Sequence, residues 1–269
     1  MSDLSLQLQQ AASQLPVSTY FDETLHQRER ALLFAAGPRY LGHGLNAPEP
    51  GDYYVLPQEK GGRALVRSPE GRLQLISNCC RHRQALMLSG QGNLKAEGKG
   101  HVGGKIVCPI HRWTYDSAGQ LLGAPHFASN PGLNLQTWPL REWNGLIFEN
   151  NGRDVAADLA SMGVARDLSF EGYVFDRAEV HECNYNWKTF IEIYLEDYHV
   201  EPFHPGLGNF VTVDDLHWQF DREYSVQTVG VAPTFGRPGT DAYRLWHEVL
   251  LRYRGGEKPE RGAIWLTYY

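Results

Sequence analysis

Residues 78–116 read NCCRHRQALMLSGQGNLKAEGKGHVGGKIVCPIHRWTYD, and this stretch decides how the chain around it is organised. It holds two closely spaced donor pairs, Cys80-x-His82 and Cys108-x-x-His111. Each pair offers one thiolate and one imidazole. Two cysteines and two histidines suit a [2Fe–2S] cluster with both sulfurs on one iron and both nitrogens on the other. The same set suits a tetrahedral Cys₂His₂ zinc site, although a zinc finger usually opens with a pair of cysteines two to four residues apart. Pro109 fixes φ and withdraws an N–H, which stiffens the second loop. Strand-like runs at Leu73–Ser77, Lys105–Val107 and Trp113–Tyr115 flank the pairs. The expected arrangement is two hairpin tips brought face to face.

The 25 residues between His82 and Cys108 (83–107) contain a Gly/Lys-rich run, Asn93–Lys105, expected to protrude into solvent. Within it, Gly98-Lys-Gly100-His-Val-Gly103 fits G-x-G-x-x-G. A dinucleotide site of that kind must follow a strand and open a helix. Here a β-branched run leads straight to Cys108, so the nucleotide reading is rejected. Cys79 points the other way along the strand from Cys80. It is expected to be a small buried apolar residue, and Cys183 likewise. Four cysteines could form two disulfides, but the histidine partners favour metal in a reducing cytosol.

The 269 residues suffice for one large or two moderate domains. A net charge of −6 argues against nucleic acid or an anionic membrane as the main partner. No apolar run approaches the roughly 20 residues of a membrane span. MSDLSLQLQQ has no basic region before an apolar core, so it does not read as a secretory signal, and a cytoplasmic location is expected.

In chain order, residues 4–14 read as a helix ended by Pro16. Asp22 reads as the N-cap of a second helix, with Leu25, Leu32 and Leu33 on one side and Gly37-Pro38 as its stop. From about 40 to 150 the pattern is short strands and turns: Tyr53–Leu56, Ala64–Arg67, Leu73–Ser77, Gln120–Leu122, and a last hairpin of Thr137–Arg141 with Leu146–Glu149 through Asn144-Gly145. The polar stretch Asn150–Ala165, with a short helix near Val155–Met162, marks a boundary. Beyond it, strands at Val174–Val180, Leu216–Phe220 and Tyr224–Val229 mix with helix. The fold class is α+β. The expected domains are 1–39 (helices packing on the second domain), 40–150 (small, all-β) and 151–269 (α+β).

A second donor set lies in NWKTFIEIYLEDYHVEPFHPGL, residues 186–207. A helix over Trp187–His199 would put Glu192, Glu196 and His199 on one face. His204 follows on a loop fixed by Pro202 and Pro205. Two histidines and one carboxylate compose the facial triad of non-haem Fe(II) oxygenases, with positions left open for O₂ and substrate. Glu192 is expected beside the site or in solvent. His181, His217 and His247 carry no motif and are expected to be structural.

CRHRQA followed by CPIHRWTYD resembles the Rieske non-haem iron oxygenases, whose alpha subunits carry CRHRG and CPYHGWTY at these places. FDETLHQRERALLFAAGPRYLGH resembles that family's N-terminal segment, and residues 196–204 resemble its D/E-x-x-H-x₄-H iron motif. Two departures are Gln84 and Arg112, each standing where the family has glycine. The resemblance implies a small all-β Rieske [2Fe–2S] domain and an incomplete helix-grip-like catalytic domain. It implies a cluster on Cys80, His82, Cys108 and His111, a mononuclear Fe(II) on His199 and His204, and O₂ as co-substrate. It makes Glu196 the acid that bridges to His111 of a neighbouring copy in a homotrimer. Electrons would come from a separate NAD(P)H-dependent reductase or ferredoxin. The family's third iron ligand, an Asp, lies far downstream, and only 65 residues follow His204. Asp241 and Glu248 have no context that supports a substitute role. The sequence therefore reads as truncated relative to full-length members.

The expected activity is that of a terminal oxygenase component, a mono- or dioxygenase that hydroxylates or demethylates a small organic substrate. Glu rather than Asp at 196 favours monooxygenation or demethylation. Two alternatives stand beside it: a Rieske electron carrier without a working oxygenase site, and a zinc-stabilised binding module.

Overall fold

The computed structural model describes residues 15–195, 199–237 and 239–269. Two compact units emerge: Gly37–Glu182, and Cys183–Tyr269 joined by the N-terminal segment that ends at Ala36. The expected helix over residues 4–14 lies outside the described residues. Among the described residues, no helix is long and apolar enough to cross a membrane.

The first unit is built from twelve short strands in three antiparallel sheets. β1 (Arg39–His43), β11 (Leu140–Trp143) and β12 (Leu146–Glu149) pair in the order β1-β12-β11. β2 (Asp52–Val55), β3 (Arg63–Arg67), β4 (Leu73–Ser77), β5 (Gln91–Asn93) and β10 (Thr137–Trp138) pair in the order β10-β4-β3-β2-β5. β6 (His101–Val102), β7 (Lys105–Val107), β8 (Thr114–Tyr115) and β9 (Leu121–Gly123) form a four-stranded ribbon in sequence order.

The five-stranded sheet is buried on both faces, and its sequence says why. Successive side chains on a strand point to opposite sides. Tyr53, Val55, Ala64, Val66 and Ile76 pack with Ile106, Trp113 and Tyr115 of the metal-loop ribbon. The alternate residues Tyr54, Leu65 and Leu75 pack with Leu41 and Ile147 of the three-stranded sheet. Such two-sided burial removes the polar alternation of a half-exposed strand. It also gives the metal loops a rigid floor.

Three expectations change. Pro139 cannot donate to a ladder, so Thr137–Arg141 is not one strand. Thr137 and Trp138 pair with Ile76 and Leu75, whereas Leu140–Trp143 makes the hairpin with Leu146–Glu149. Asn144 and Gly145 at its tip have φ of 48° and 80°, the geometry of a two-residue type I′ turn. The run Asn93–Lys105 protrudes only in part: residues 95–99 are exposed, but the chain on either side of them is packed down. Leu94 is fully buried, the His101 ring lies against Tyr53, and Gly104 N–H donates to the Leu94 carbonyl at 2.8 Å. Gly100 sits so close to the chain that a Cβ there would be 1.9 Å from the Met87 carbonyl oxygen. Leu94, Gly100 and His101 pin the insert to the core, while residues 95–99 stay exposed. Val174–Val180, expected as a strand, makes no ladder; Phe175 instead packs against Tyr54, with ring centroids 5.5 Å apart.

In the second unit, β13 (Val211–Phe220), β14 (Tyr224–Val231) and β15 (Ala263–Tyr268) form an antiparallel sheet with β14 in the centre. Asp22 caps the helix Glu23–Glu29, its carboxylate accepting from Leu25 N–H at 3.0 Å. Helical structure continues over Arg30–Phe34 with wider, π-type turns, leaving Leu32 and Leu33 exposed. Glu29 then anchors the helix Trp187–Tyr194: it accepts from the buried Lys188 ammonium at 2.5 Å and from Trp187 Nε1 at 2.9 Å. These two donors, Lys188 first, hold the Glu29 carboxyl below its ordinary range. Cys183 is exposed, against the expectation of burial.

Candidate metal centres

The first centre begins with Asn78, a fully buried amide just before the first donor pair. Its Nδ2 donates to the Gly61 carbonyl at 2.8 Å and the Leu88 carbonyl at 2.9 Å, and its Oδ1 accepts from Leu88 N–H at 2.8 Å. Those three bonds tie down both ends of the loop that carries Cys80 and His82. Nothing in the sequence signals this role; an Asn beside two cysteines looks like a turn residue.

The two donor loops are near copies of each other. Cys80 N–H donates to the Ala85 carbonyl at 2.9 Å, and the Cys80 carbonyl accepts from Gln84 N–H at 2.8 Å. Cys108 N–H donates to the Trp113 carbonyl at 2.8 Å, and its carbonyl accepts from Arg112 N–H at 3.0 Å. Closing each loop needs a left-handed residue four places after the cysteine. Gln84 has φ 57° and Arg112 has φ 61°. These are the two positions where the sequence departs from glycine, the residue that adopts this conformation without a Cβ penalty.

The pairing of donors follows from the loop geometry. The Cys80 and Cys108 thiols adjoin in the interior, 1% and 2% exposed, while His82 and His111 lie at the exposed tip. The imidazole centroids are 4.6 Å apart and nearly perpendicular, and His82 stacks flat on buried Trp113 at 5.2 Å. Tyr115 Oη lies 3.5 Å from Cys80 Sγ and accepts from Arg81 N–H at 3.1 Å. Burial raises the Cys80 thiol above its ordinary pKa, and the neighbouring Cys108 adds to the rise. Burial also pushes the Tyr115 hydroxyl up. Two adjoining buried thiols become thiolates only beside a strong cationic centre, so the donor set fits a metal group and not a bare core. Among the described residues, no three His, Cys, Asp or Glu side chains are placed to hold one ion. Sulfurs paired on one side and imidazoles on the other could hold the two irons of a [2Fe–2S] cluster, at two ligands per iron. A single tetrahedral zinc needs four donors around one point, and the arrangement does not supply them.

The second centre lies in the other unit. The helix that starts at Trp187 ends at Tyr194, short of the expected His199. His199 instead sits at the N-cap position of a separate short helix, Val200–Phe203, and His204 follows it. Phe203 N–H to the His199 carbonyl at 3.0 Å and His204 N–H to the Val200 carbonyl at 2.8 Å fix the turn. The two rings are thereby held 5.5 Å apart at 78°. They open on a cavity of about 600 Å³ walled by Tyr194, Phe203, Leu207, Tyr243 and Trp265. Gly206 is needed there, because a Cβ would meet the Tyr243 hydroxyl.

Glu196 lies outside the described residues. Glu192 accepts from the Tyr20 hydroxyl, Asp241 pairs with Arg244, and Glu248 is exposed on its helix, so the structure brings none of these to the two imidazoles. His217 is exposed and bonded to Asp215 at 2.6 Å. His247 is fully buried: its Nδ1 accepts from Gly236 N–H at 2.8 Å and its ring stacks on Phe235 at 4.5 Å.

Comparison with known proteins finds two families, the second of which begins at residue 170, inside the first unit. Residues 46–139 match the family described as Rieske [2Fe-2S] domain, and residues 170–269 match Ring hydroxylating alpha subunit (catalytic domain). A putrescine 2-hydroxylase of Ralstonia nicotianae is 57% identical over 271 residues, across 100% of this chain and 71% of that protein. A second putrescine 2-hydroxylase, of Bordetella bronchiseptica, is 54% identical across 96% of this chain and 61% of its own length. Among solved structures, a quaternary ammonium Rieske monooxygenase described in terms of carnitine oxidation is 25% identical, with a TM-score of 0.63 across 80% of this chain and 60% of that one.

Proposed function

The chain belongs to the Rieske non-haem iron oxygenase alpha subunits, and from that premise we propose that it is the terminal oxygenase component for C–H hydroxylation of a small aliphatic amine of the putrescine kind. Its family is one of hydroxylases and monooxygenases that carry a [2Fe–2S] cluster and a mononuclear iron and use O₂. The observation that carries the reading is the sorting of donors at the tip of the first unit, sulfurs inside and imidazoles outside.

On this reading Cys80 and Cys108 hold one iron and His82 and His111 the other, while His199 and His204 hold the mononuclear iron. The bound groups supply one-electron storage and activation of O₂ toward a C–H bond. The protein supplies the rest. Trp113 fixes the plane of His82 and leaves its outer edge in solvent. Tyr115 steadies the thiol side. Glu196 is the acid we place between His111 of one copy and His199 of the next, which requires a cyclic homotrimer. A separate reductase or ferredoxin brings the electrons, since no nucleotide fingerprint in this chain survives inspection.

The amine assignment rests on identity to two putrescine 2-hydroxylases across nearly the whole chain. The cavity agrees in kind. Besides His199 and His204, its described walls contain Tyr194, Phe203, Tyr243 and Trp265 and no Asp, Glu, Lys or Arg, and aromatic faces attract alkylammonium groups. The reaction balances as one C–H and O₂ with two electrons and two protons giving C–OH and water. The test is turnover of putrescine under ¹⁸O₂ with a reductase present. The expected result is a monohydroxylated diamine carrying one ¹⁸O, with three irons per chain. Two irons per chain and no oxygen incorporation would refute the proposal.

A further inference from the structure

The twin loops differ in one respect that the fold does not explain. Gln84 and Arg112 occupy the same place, with matching hydrogen bonds and matching left-handed φ. A glycine would close either loop with less strain. Arg112 is exposed, and among the described residues its guanidinium has no ion-pair or hydrogen-bond partner. What it adds, and what neutral Gln84 does not, is a fixed positive charge one residue from His111. Arg81 and Arg83, also exposed, flank His82 in the same way. The chain as a whole carries −6, so this tip runs against its average charge.

We propose that Arg112 is a potential-setting residue: its charge beside His111 makes the cluster easier to reduce. The inference rests on the ligand assignment made above. Reduction adds one electron, donated by the partner electron-transfer protein, and one negative charge to the cluster; no bond forms or breaks. A neighbouring cation stabilises the reduced form over the oxidised one. For a separation of roughly 8 Å across a largely aqueous path, one unit charge shifts the reduced-to-oxidised ratio about twofold. For a one-electron couple, that corresponds to about 20 mV. Because the guanidinium is exposed, the effect weakens as salt screens it.

The test uses the full chain with its cluster and reads the midpoint potential by spectroelectrochemical titration. Iron and sulfide content are matched between variants. Arg112→Gln keeps the left-handed strain and removes the charge; Arg112→Lys keeps the charge; Arg112→Gly removes both. Gln84→Arg adds the charge at the twin position. The expected result is a lower potential for Arg112→Gln and Arg112→Gly, a retained potential for Arg112→Lys, and a higher one for Gln84→Arg. The differences should shrink in high salt. Equal potentials for Arg112→Gln and the unsubstituted chain, each with a full cluster, would overturn the proposal. So would a fall in Arg112→Lys as large as that in Arg112→Gln, since it would remove charge as the cause. Absence of a cluster from the unsubstituted chain would instead overturn the ligand assignment, and this inference with it.

Discussion

Replacing Asn78 by Leu removes three hydrogen bonds at once while keeping similar bulk. The bonds run to the Gly61 carbonyl, the Leu88 carbonyl and the Leu88 N–H, all from a side chain with no exposure. At about 1 kcal/mol net each, the loss is about 3 kcal/mol. The two Leu88 backbone groups then stay buried without these partners, which raises the cost toward about 5 kcal/mol. The damage is local to one donor pair, because Asn78 and Leu88 bracket the loop of Cys80 and His82. Urea unfolding should show a loss of at least about 3 kcal/mol. Bleaching of the cluster in the presence of a chelator should accelerate, because local opening of that loop exposes two of its four ligands. A loss under about 1 kcal/mol, or destabilisation with unchanged bleaching, would refute the role given to Asn78.

Tyr115→Phe should lower the cluster potential and cost about 1–3 kcal/mol, because Cys80 Sγ loses a neighbouring hydroxyl and Arg81 N–H loses its acceptor; spectroelectrochemistry and thermal melts read both. Gly100→Ala should destabilise by several kcal/mol, since its Cβ would overlap the Met87 carbonyl. Gly103→Ala, with open space but φ of 56°, should cost only about 1–2 kcal/mol in the same urea assay. Burial depresses the pKa of His247, so the unfolded chain takes up its proton first as pH falls. That stability is complete above the unfolded value of about 6.5 and is lost below it, down through the folded pKa. Unfolding free energies measured between pH 7.5 and 5.5 should therefore decline, and less steeply in His247→Gln.

Much of the first centre could be read in the sequence because its information is local. Two short donor pairs, a proline and flanking β-branched runs determine loops whose partners lie within six residues. The sorting of sulfurs from imidazoles could not be read, since it depends on how the two loops face each other across the ribbon. Composition misleads about the Asn93–Lys105 run: nine of its thirteen residues are Gly, Lys, Glu or Asn, yet Leu94, Gly100 and His101 are buried. Pro139 is legible as a break, and it splits the run that the Asn144-Gly145 turn alone would make one hairpin strand. The second centre was only half legible. His199 and His204 announced themselves by spacing, yet the helix assumed to carry them stops at Tyr194, and the aromatic walls come from Tyr243 and Trp265, far along the chain. Helical periodicity can place Glu192, but it cannot see that Tyr20 holds it.

The most direct test of the ligand assignment is the acid-labile sulfide content of the anaerobically purified chain beside that of Cys108→Ser. The account predicts two sulfides per chain with a [2Fe–2S] signal in the unsubstituted protein, and none in the variant. A colourless protein holding one zinc and no sulfide would contradict it.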